Sequence, residues 1–150
     1  MTSPRPLKLI PSLVVSGAAR AIEFYQQALD ARVVSCFADG KRGGHVVHAE
    51  LAIGGSNFYL SDEARDWHNH APTSLGGSPV ILHLEVADAD AAAARMLAAG
   101  ATVIFPVTDH FYGERAGRLR DPFGHQWLLS QRLREVTDAE IQAGIDAYEG

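Results

Sequence analysis

The sequence predicts an α+β domain made of two β-α-β-β-β modules that form a curved mixed sheet around a cavity, with helices outside and an extra helix at the C-terminus. Three observations predict it. The same order of strand-like and helix-like segments occurs twice along the chain. Within that order, Gly55-Ser56-Asn57-Phe58-Tyr59-Leu60-Ser61 lies over Gly124-His125-Gln126-Trp127-Leu128-Leu129-Ser130, and Leu13-Val14-Val15 lies over Leu84-Glu85-Val86. Finally, 150 residues with 47% hydrophobic and 21% charged side chains match one soluble domain and exclude disordered and collagen-like chains. The expected division is a single domain over 1–150, with module one at 7–61, a linker at 62–79, module two at 80–130 and a helix at 137–149. A β-α-β-β-β unit leaves one sheet face uncovered by its helix, so two units side by side can enclose a cavity.

The elements follow in chain order. Leu7 to Val15 alternates weakly and reads as a strand, after which Ala18, Ile22, Tyr25 and Leu29 recur at helical spacing. Ala31 to Phe37 is a short strand, and Gly40, Gly43 and Gly44 make a loop before the period-2 stretch from Val46 to Ile53. Gly54-Gly55 turns the chain into the strand Asn57 to Ser61. The linker, rich in Asp, His, Asn, Pro, Gly and Ser, reads as a surface connection. In module two, Val80 to Val86 is a strand, Asp88 caps a helix over Ala89 to Ala99, and Gly100 occupies its C-terminal αL position. Strands are expected at Thr102 to Val107, Glu114 to Arg120 and Trp127 to Ser130, with Asp121-Pro122-Phe123-Gly124 as a type I turn. Thr137-Asp138-Ala139-Glu140 is a capping box for a last helix carrying Ile141, Ile145 and Tyr148 on one face, expected to pack on the body or on a partner subunit.

Charge and cysteine usage narrow the function. A net charge of -5 without a dense Lys/Arg cluster gives no electrostatic basis for binding nucleic acid or an anionic membrane. No apolar stretch approaches the roughly 20 residues that span a bilayer, and Met1 to Pro6 carries no apolar h-region, so a cytoplasmic protein is expected. The single cysteine, Cys36, rules out an internal disulfide and a Cys-based zinc site, and is expected to be a small buried hydrophobe.

Seven histidines are the one chemical anomaly. Alternation points Leu82, Leu84 and Val86 at the helix, leaving Ile81, His83 and Glu85 toward the cavity. Likewise Val47, Ala49, Leu51 and Ile53 leave Val46, His48 and Glu50 on the opposite face. His48, Glu50, His83 and Glu85 are therefore the candidate catalytic residues: a displaced metal site, a general acid-base pair, or hydrogen-bonding groups that orient a ligand. A solvated strand face accounts for the same pattern. His68 and His70 lie in the linker, His45 and His110 near loops, and His125 in a turn where a structural bond is expected. Trp127 alternates with the cavity-facing positions and is expected under a helix.

The two modules, the helix segment Ala21-Ile22-Glu23-Phe24-Tyr25, Ser74-Leu75-Gly76-Gly77-Ser78-Pro79 and above all Asp121-Pro122-Phe123-Gly124-His125-Gln126-Trp127 resemble the vicinal oxygen chelate superfamily. The likeness covers nearly the whole chain and is greatest to the PhnB-like branch, related to glyoxalase, bleomycin-resistance and extradiol dioxygenase proteins. The resemblance implies metal ligands at one point on each first strand and each last strand. Spacing maps these points onto Ile10, Ile81, Tyr59 and Leu128, a poor ligand set for a divalent ion, so no metal and no cofactor are expected. A register difference of one or two residues would put His83 at the point given to Ile81. Phe111-Tyr112-Gly113-Glu114-Arg115 is similar to the family's segment at the cavity rim, where Phe111, Tyr112 and Arg115 would stack on or pair with a flat or anionic ligand. A surface ion pair of Glu114 or Arg115 is the competing role. Arg118 and Arg120 reach the cavity only if glycine-associated bulges leave the alternation intact.

Together with Gln126 of the turn motif, Ile10, Tyr59, Ile81, Phe111, Tyr112, Arg115 and Leu128 form the expected ligand-binding set. The leading expectation is a metal-free protein that encloses a small organic molecule, acting as a homodimer. The alternative is a glyoxalase-like isomerase or lyase that uses a displaced divalent metal or a metal-free pair, with Glu50 or Glu85 as base and His48 or His83 as acid. A purely structural interaction module would require the groove to be filled by side chains.

Overall fold

Apolar stripes at helical spacing and apolar alternation along the strands meet in each module as a helix laid on one face of a sheet. The computed structural model describes residues 3–148. Module one contains β1 (Ser12–Val15), α1 (Ala18–Leu29), β2 (Arg32–Asp39), β3 (His45–Ile53) and β4 (Ser56–Asp62). A connection with a 3₁₀ turn at Arg65–Trp67 and a short helix α2 (Pro72–Leu75) leads to module two. There follow β5 (Ile81–Glu85), α3 (Ala89–Ala99), β6 (Thr102–Asp109), β7 (Glu114–Arg120) and β8 (Gln126–Arg132), and then α4 (Asp138–Asp146). The strands form two four-stranded mixed sheets, ordered β1-β4-β3-β2 and β5-β8-β7-β6. In each, the first and last strands of the module run parallel and the other pairs antiparallel. The α+β class and the duplicated module are thus those the sequence predicts. Among the described residues no helix is long and apolar enough to cross a membrane.

Local chemistry fixes the helix ends. Asp62 at the end of β4 reaches back 44 residues: its Oδ1 accepts from the Gly17 and Ala18 amides at 3.1 and 2.8 Å, capping α1 from another element. Its Oδ2 accepts from the Val46 amide at 2.9 Å, so one carboxylate ties β1, α1, β3 and β4 together. Asp88 caps α3 through the Ala91 amide at 3.0 Å, and Gly100 ends it with φ 119°, as expected. Thr137 Oγ1 accepts from the Glu140 amide at 3.2 Å to open α4.

Helices α1 and α3 lie side by side, and the residues beneath them merge into one core that both modules share. Its centre is a polar knot in apolar packing. The buried Asp121 accepts from Tyr25 Oη at 2.5 Å and Trp127 Nε1 at 2.9 Å through Oδ2, and from the Phe123 and His125 amides through Oδ1. Around it the Tyr25 ring packs against Phe24, Phe58 and Trp127, with centroids 5.3 to 5.6 Å away. Trp127 accordingly lies beneath α1, and His125 Nε2 donates to the Val14 carbonyl across the module boundary at 2.9 Å.

Burial, and next the Asp121 charge, push the Tyr25 hydroxyl well above its ordinary 10.0. The folded state therefore holds this proton where the unfolded chain releases it. Its contribution is complete below about pH 10 and falls as pH rises beyond that value toward the folded-state one. Alkaline unfolding monitored by circular dichroism should show this slope, and Tyr25→Phe should flatten it while lowering stability at neutral pH.

Several local expectations are corrected. The first strand begins at Ser12 rather than Leu7: Pro6 and Pro11 have no N–H, and Leu7 and Leu9 are fully exposed in an unpaired arm. Cys36 is exposed, on β2, which is an edge strand of its sheet. Val46 is in the core and Val47 is exposed, the reverse of strict alternation, because β3 skips Val47 between its pairings with Phe37 and Ala38. The linker carries α2, for which Pro72 supplies an N-terminal residue with preset φ. The expected last helix residue, Glu149, lies outside the described residues.

Candidate functional site

The face of each sheet turned away from its helix carries the polar candidates. In module two, register places residues in level rows: Ile81 with Gln126 and Arg120, His83 with Leu128 and Arg118, Glu85 with Ser130 and Ala116. His83 Nε2 shares a hydrogen bond of 2.7 Å with the buried Ser130 hydroxyl, which fixes the ring over the strand. Arg118 spreads over the Phe105 ring at 5.3 Å from its centroid, and its Nη1 donates to Gln126 Oε1 at 3.4 Å. Arg118 and Phe105 are site residues that sequence reasoning did not commit to. Only the pairing of β7 with β8 shows which β7 side chains share a face with Leu128.

In module one the corresponding row is Ser12, Tyr59, Glu50 and Ser35. The His48 ring meets Tyr59 edge-on at 4.6 Å and stacks with Phe37 at 6.4 Å, giving an aromatic surface on which Phe37 is well exposed. His48, Glu50 and Tyr59 are thus brought together, as are Ile81, His83, Glu85, Gln126 and Leu128. No hydrogen bond, ring contact or ion pair links the two groups among the described residues.

Between the modules runs a cleft of about 620 Å³. Phe58, Ile53 and Trp127 line one part of it, and Ile81, Leu82 and His83 another, with Lys8 and Leu9 of the N-terminal arm at its edge. Such a cleft, apolar with few polar groups, suits a small organic molecule.

The expected rim segment is arranged differently. Arg115 lies on the helix side of β7, where its guanidinium donates to Asp90 at 2.8 and 3.0 Å and to Asp109 at 2.8 Å. The Arg115 hydrogen bond holds the Asp90 carboxyl below its usual range, and Asp90 and then Asp109 hold the guanidinium proton more tightly than usual. This guanidinium staples α3 to β6. Phe111 sits directly against Gly144 of α4, where no Cβ would fit, and its carbonyl accepts from Arg134 Nη2 at 3.1 Å. Tyr112 stacks on His110 at 5.0 Å, and its hydroxyl is pushed up by burial and next by Glu114.

The points where the family implies a metal can be tested by register. The first-strand side chains level with Tyr59 and Leu128 are Ser12 and His83, whereas Ile10 precedes β1 and Ile81 is level with Gln126. One imidazole, a phenol, a hydroxyl and a hydrocarbon do not fit a divalent ion. Nowhere among the described residues do three His, Cys, Asp or Glu side chains converge to hold one.

A family model described as Glyoxalase/Bleomycin resistance protein/Dioxygenase superfamily matches residues 9–129. An uncharacterized protein of Mycobacterium tuberculosis is 44% identical over 142 residues, covering 93% of this chain and 82% of the relative. Among solved structures, an Arabidopsis thaliana gene product superposes with TM-score 0.66 at 28% identity, covering 84% of this chain and 99% of that one. The fosfomycin resistance protein FosX of Listeria monocytogenes, solved with Mn(II) and sulfate, superposes with TM-score 0.62 at 14% identity, covering 95% of this chain and 99% of that one.

Proposed function

Because the chain belongs to the Glyoxalase/Bleomycin resistance protein/Dioxygenase superfamily, we propose that it is a small-molecule-binding member that works without a metal and as a homodimer. The observation that carries the reading is the register of the four strand points. Ser12, Tyr59, His83 and Leu128 offer one good metal donor; FosX, of similar fold, was solved with Mn(II). The apolar inter-module cleft and the Phe37–His48–Tyr59 surface supply what a flat organic ligand needs instead.

Surface area supports a second copy. The chain exposes 9691 Å², whereas a folded monomer of 16.1 kDa is expected to expose about 7,400 Å². The excess of about 2,300 Å² is of the order that obligate dimers bury. Apolar side chains exposed away from the proposed ligand surfaces, Val34, Val103 and Leu133 among them, are available to such a contact.

The test combines mass, metal and ligand. Light scattering should give twice the 16.1 kDa chain mass. Elemental analysis of untagged protein purified without chelators should find no stoichiometric metal, and a panel of small aromatic molecules should include some that raise Tm saturably. About one Ni, Zn, Mn or Fe per chain, lost on His48→Ala or His83→Ala, would overturn the metal-free reading in favour of the isomerase or lyase. A monomeric mass would overturn the dimer, and no stabilisation across the panel would overturn ligand binding.

A further inference from the structure

We infer that Arg118 anchors the carboxylate of a flat organic ligand lying on the open face of β7 and β8; the inference rests on the small-molecule reading above and names the ligand class. The two arginines of β7 that are least exposed have opposite surroundings. Arg115 is held by two carboxylates, whereas no ion pair engages Arg118 among the described residues. The hydrogen bonds of Arg118 are also incomplete. Nη1 has only the long contact to Gln126, and Nε is shielded from water with no acceptor. A cationic donor removed from water without an acceptor is costly. An oxyanion beside the guanidinium relieves that cost, and a carboxylate matches the planar fork with two parallel bonds.

The surroundings supply the rest of the recognition. Phe105 beneath the guanidinium is 59% exposed, leaving ring surface for a flat ligand to cover. Leu128 is a hydrocarbon floor between Arg118 and His83, which stand about 10 Å apart because β8 separates their strands. Arg120, one row away, is also on this face, while Glu85 and Glu114 lie toward its other end, so the Arg118–Arg120 end is locally cationic in a chain of net charge -5. An anion is therefore attracted to this end although the molecule as a whole repels it.

Calorimetric titration of the intact protein with 2-naphthoate and its neutral counterpart 2-naphthamide tests this. Naphthoate should bind saturably and at least about tenfold more tightly than naphthamide. Arg118→Met should bring naphthoate down to the naphthamide level, Arg118→Lys should keep only part of the preference, and the surface change Arg65→Met should leave it intact. A Tm of the Arg118 variants equal to or above that of the parent protein would show that the loss of binding is local. Equal affinity for the two compounds, or naphthoate affinity insensitive to Arg118→Met, would overturn the inference while leaving the ligand-binding reading in place. If neither compound binds and the wider panel also fails, the reading itself falls and the anchor with it.

Discussion

Replacing Asp121 by alanine is expected to cost on the order of 4 kcal/mol of stability. The carboxylate is 2% exposed and accepts from four donors, the Tyr25 hydroxyl, the Trp127 indole and the Phe123 and His125 amides. Truncation leaves four donors facing a space walled by aromatic rings, each losing a partner that water replaces poorly. Urea denaturation should show a lower midpoint at unchanged slope, and Tm should fall by on the order of 10 °C. Asp121→Asn separates charge from shape. Its amide keeps an oxygen for the two backbone donors but sets an N–H₂ opposite the Trp127 N–H, so a substantial part of the loss should remain. A loss below about 1 kcal/mol in the alanine variant would mean that water enters the site and satisfies these groups.

Trp127→Ala is expected to cost roughly 3 to 5 kcal/mol by emptying the centre of the same core. The indole is 4% exposed, lies 5.6 Å from the Tyr25 centroid and 6.1 Å from that of Phe58, and also lines the inter-module cleft. Truncation therefore joins a core cavity to the cleft. Trp127→Phe keeps most of the packing and removes the bond to Asp121, and should cost about 1 to 2 kcal/mol. Because the two side chains share that bond, Asp121→Ala combined with Trp127→Phe should lose less than the sum of the singles. The chain has two tryptophans, and Trp67 is half exposed, so a Trp67→Phe background lets fluorescence follow the buried indole in wild-type protein. Circular dichroism serves for the Trp127 variants. A near-additive double mutant would contradict a shared network.

The parts of the fold written in local chemistry could be read directly. Asp88 and Gly100 bracket α3, Thr137 opens α4, and Asp121 to Gly124 turns with the Gly124 amide donating to the Asp121 carbonyl at 3.1 Å. Period-2 alternation places Ile81, His83 and Glu85 on one face because β5 is regular. It fails in β3, where the skipped Val47 reverses the faces of Val46 and Val47, and no residue type marks that irregularity. Arg115 and Arg118 both look like ligand-facing cations in sequence. Register with β8 separates them, and the partners that occupy Arg115, Asp90 and Asp109, lie 25 and 6 residues away. The reach of Asp121 to Tyr25 spans 96 residues, and nothing near either residue announces it.

Each sheet is assembled from one continuous stretch of chain, and the shared core forms only when the two stretches meet. Closing a hairpin such as β3–β4 constrains few residues, whereas bringing Tyr25 to Asp121 must overcome the entropy of the long segment between them. Assembly is therefore expected to run from modules to interface: Phe123, His125 and Trp127 donate to Asp121 from within six residues, and the Tyr25 bond is the one that waits for the two modules to meet. Interactions made after the rate-limiting step act on escape from the native state rather than on arrival at it. The Tyr25–Asp121 bond is in that sense a latch, expected to govern how long the folded chain persists more than how quickly it is reached.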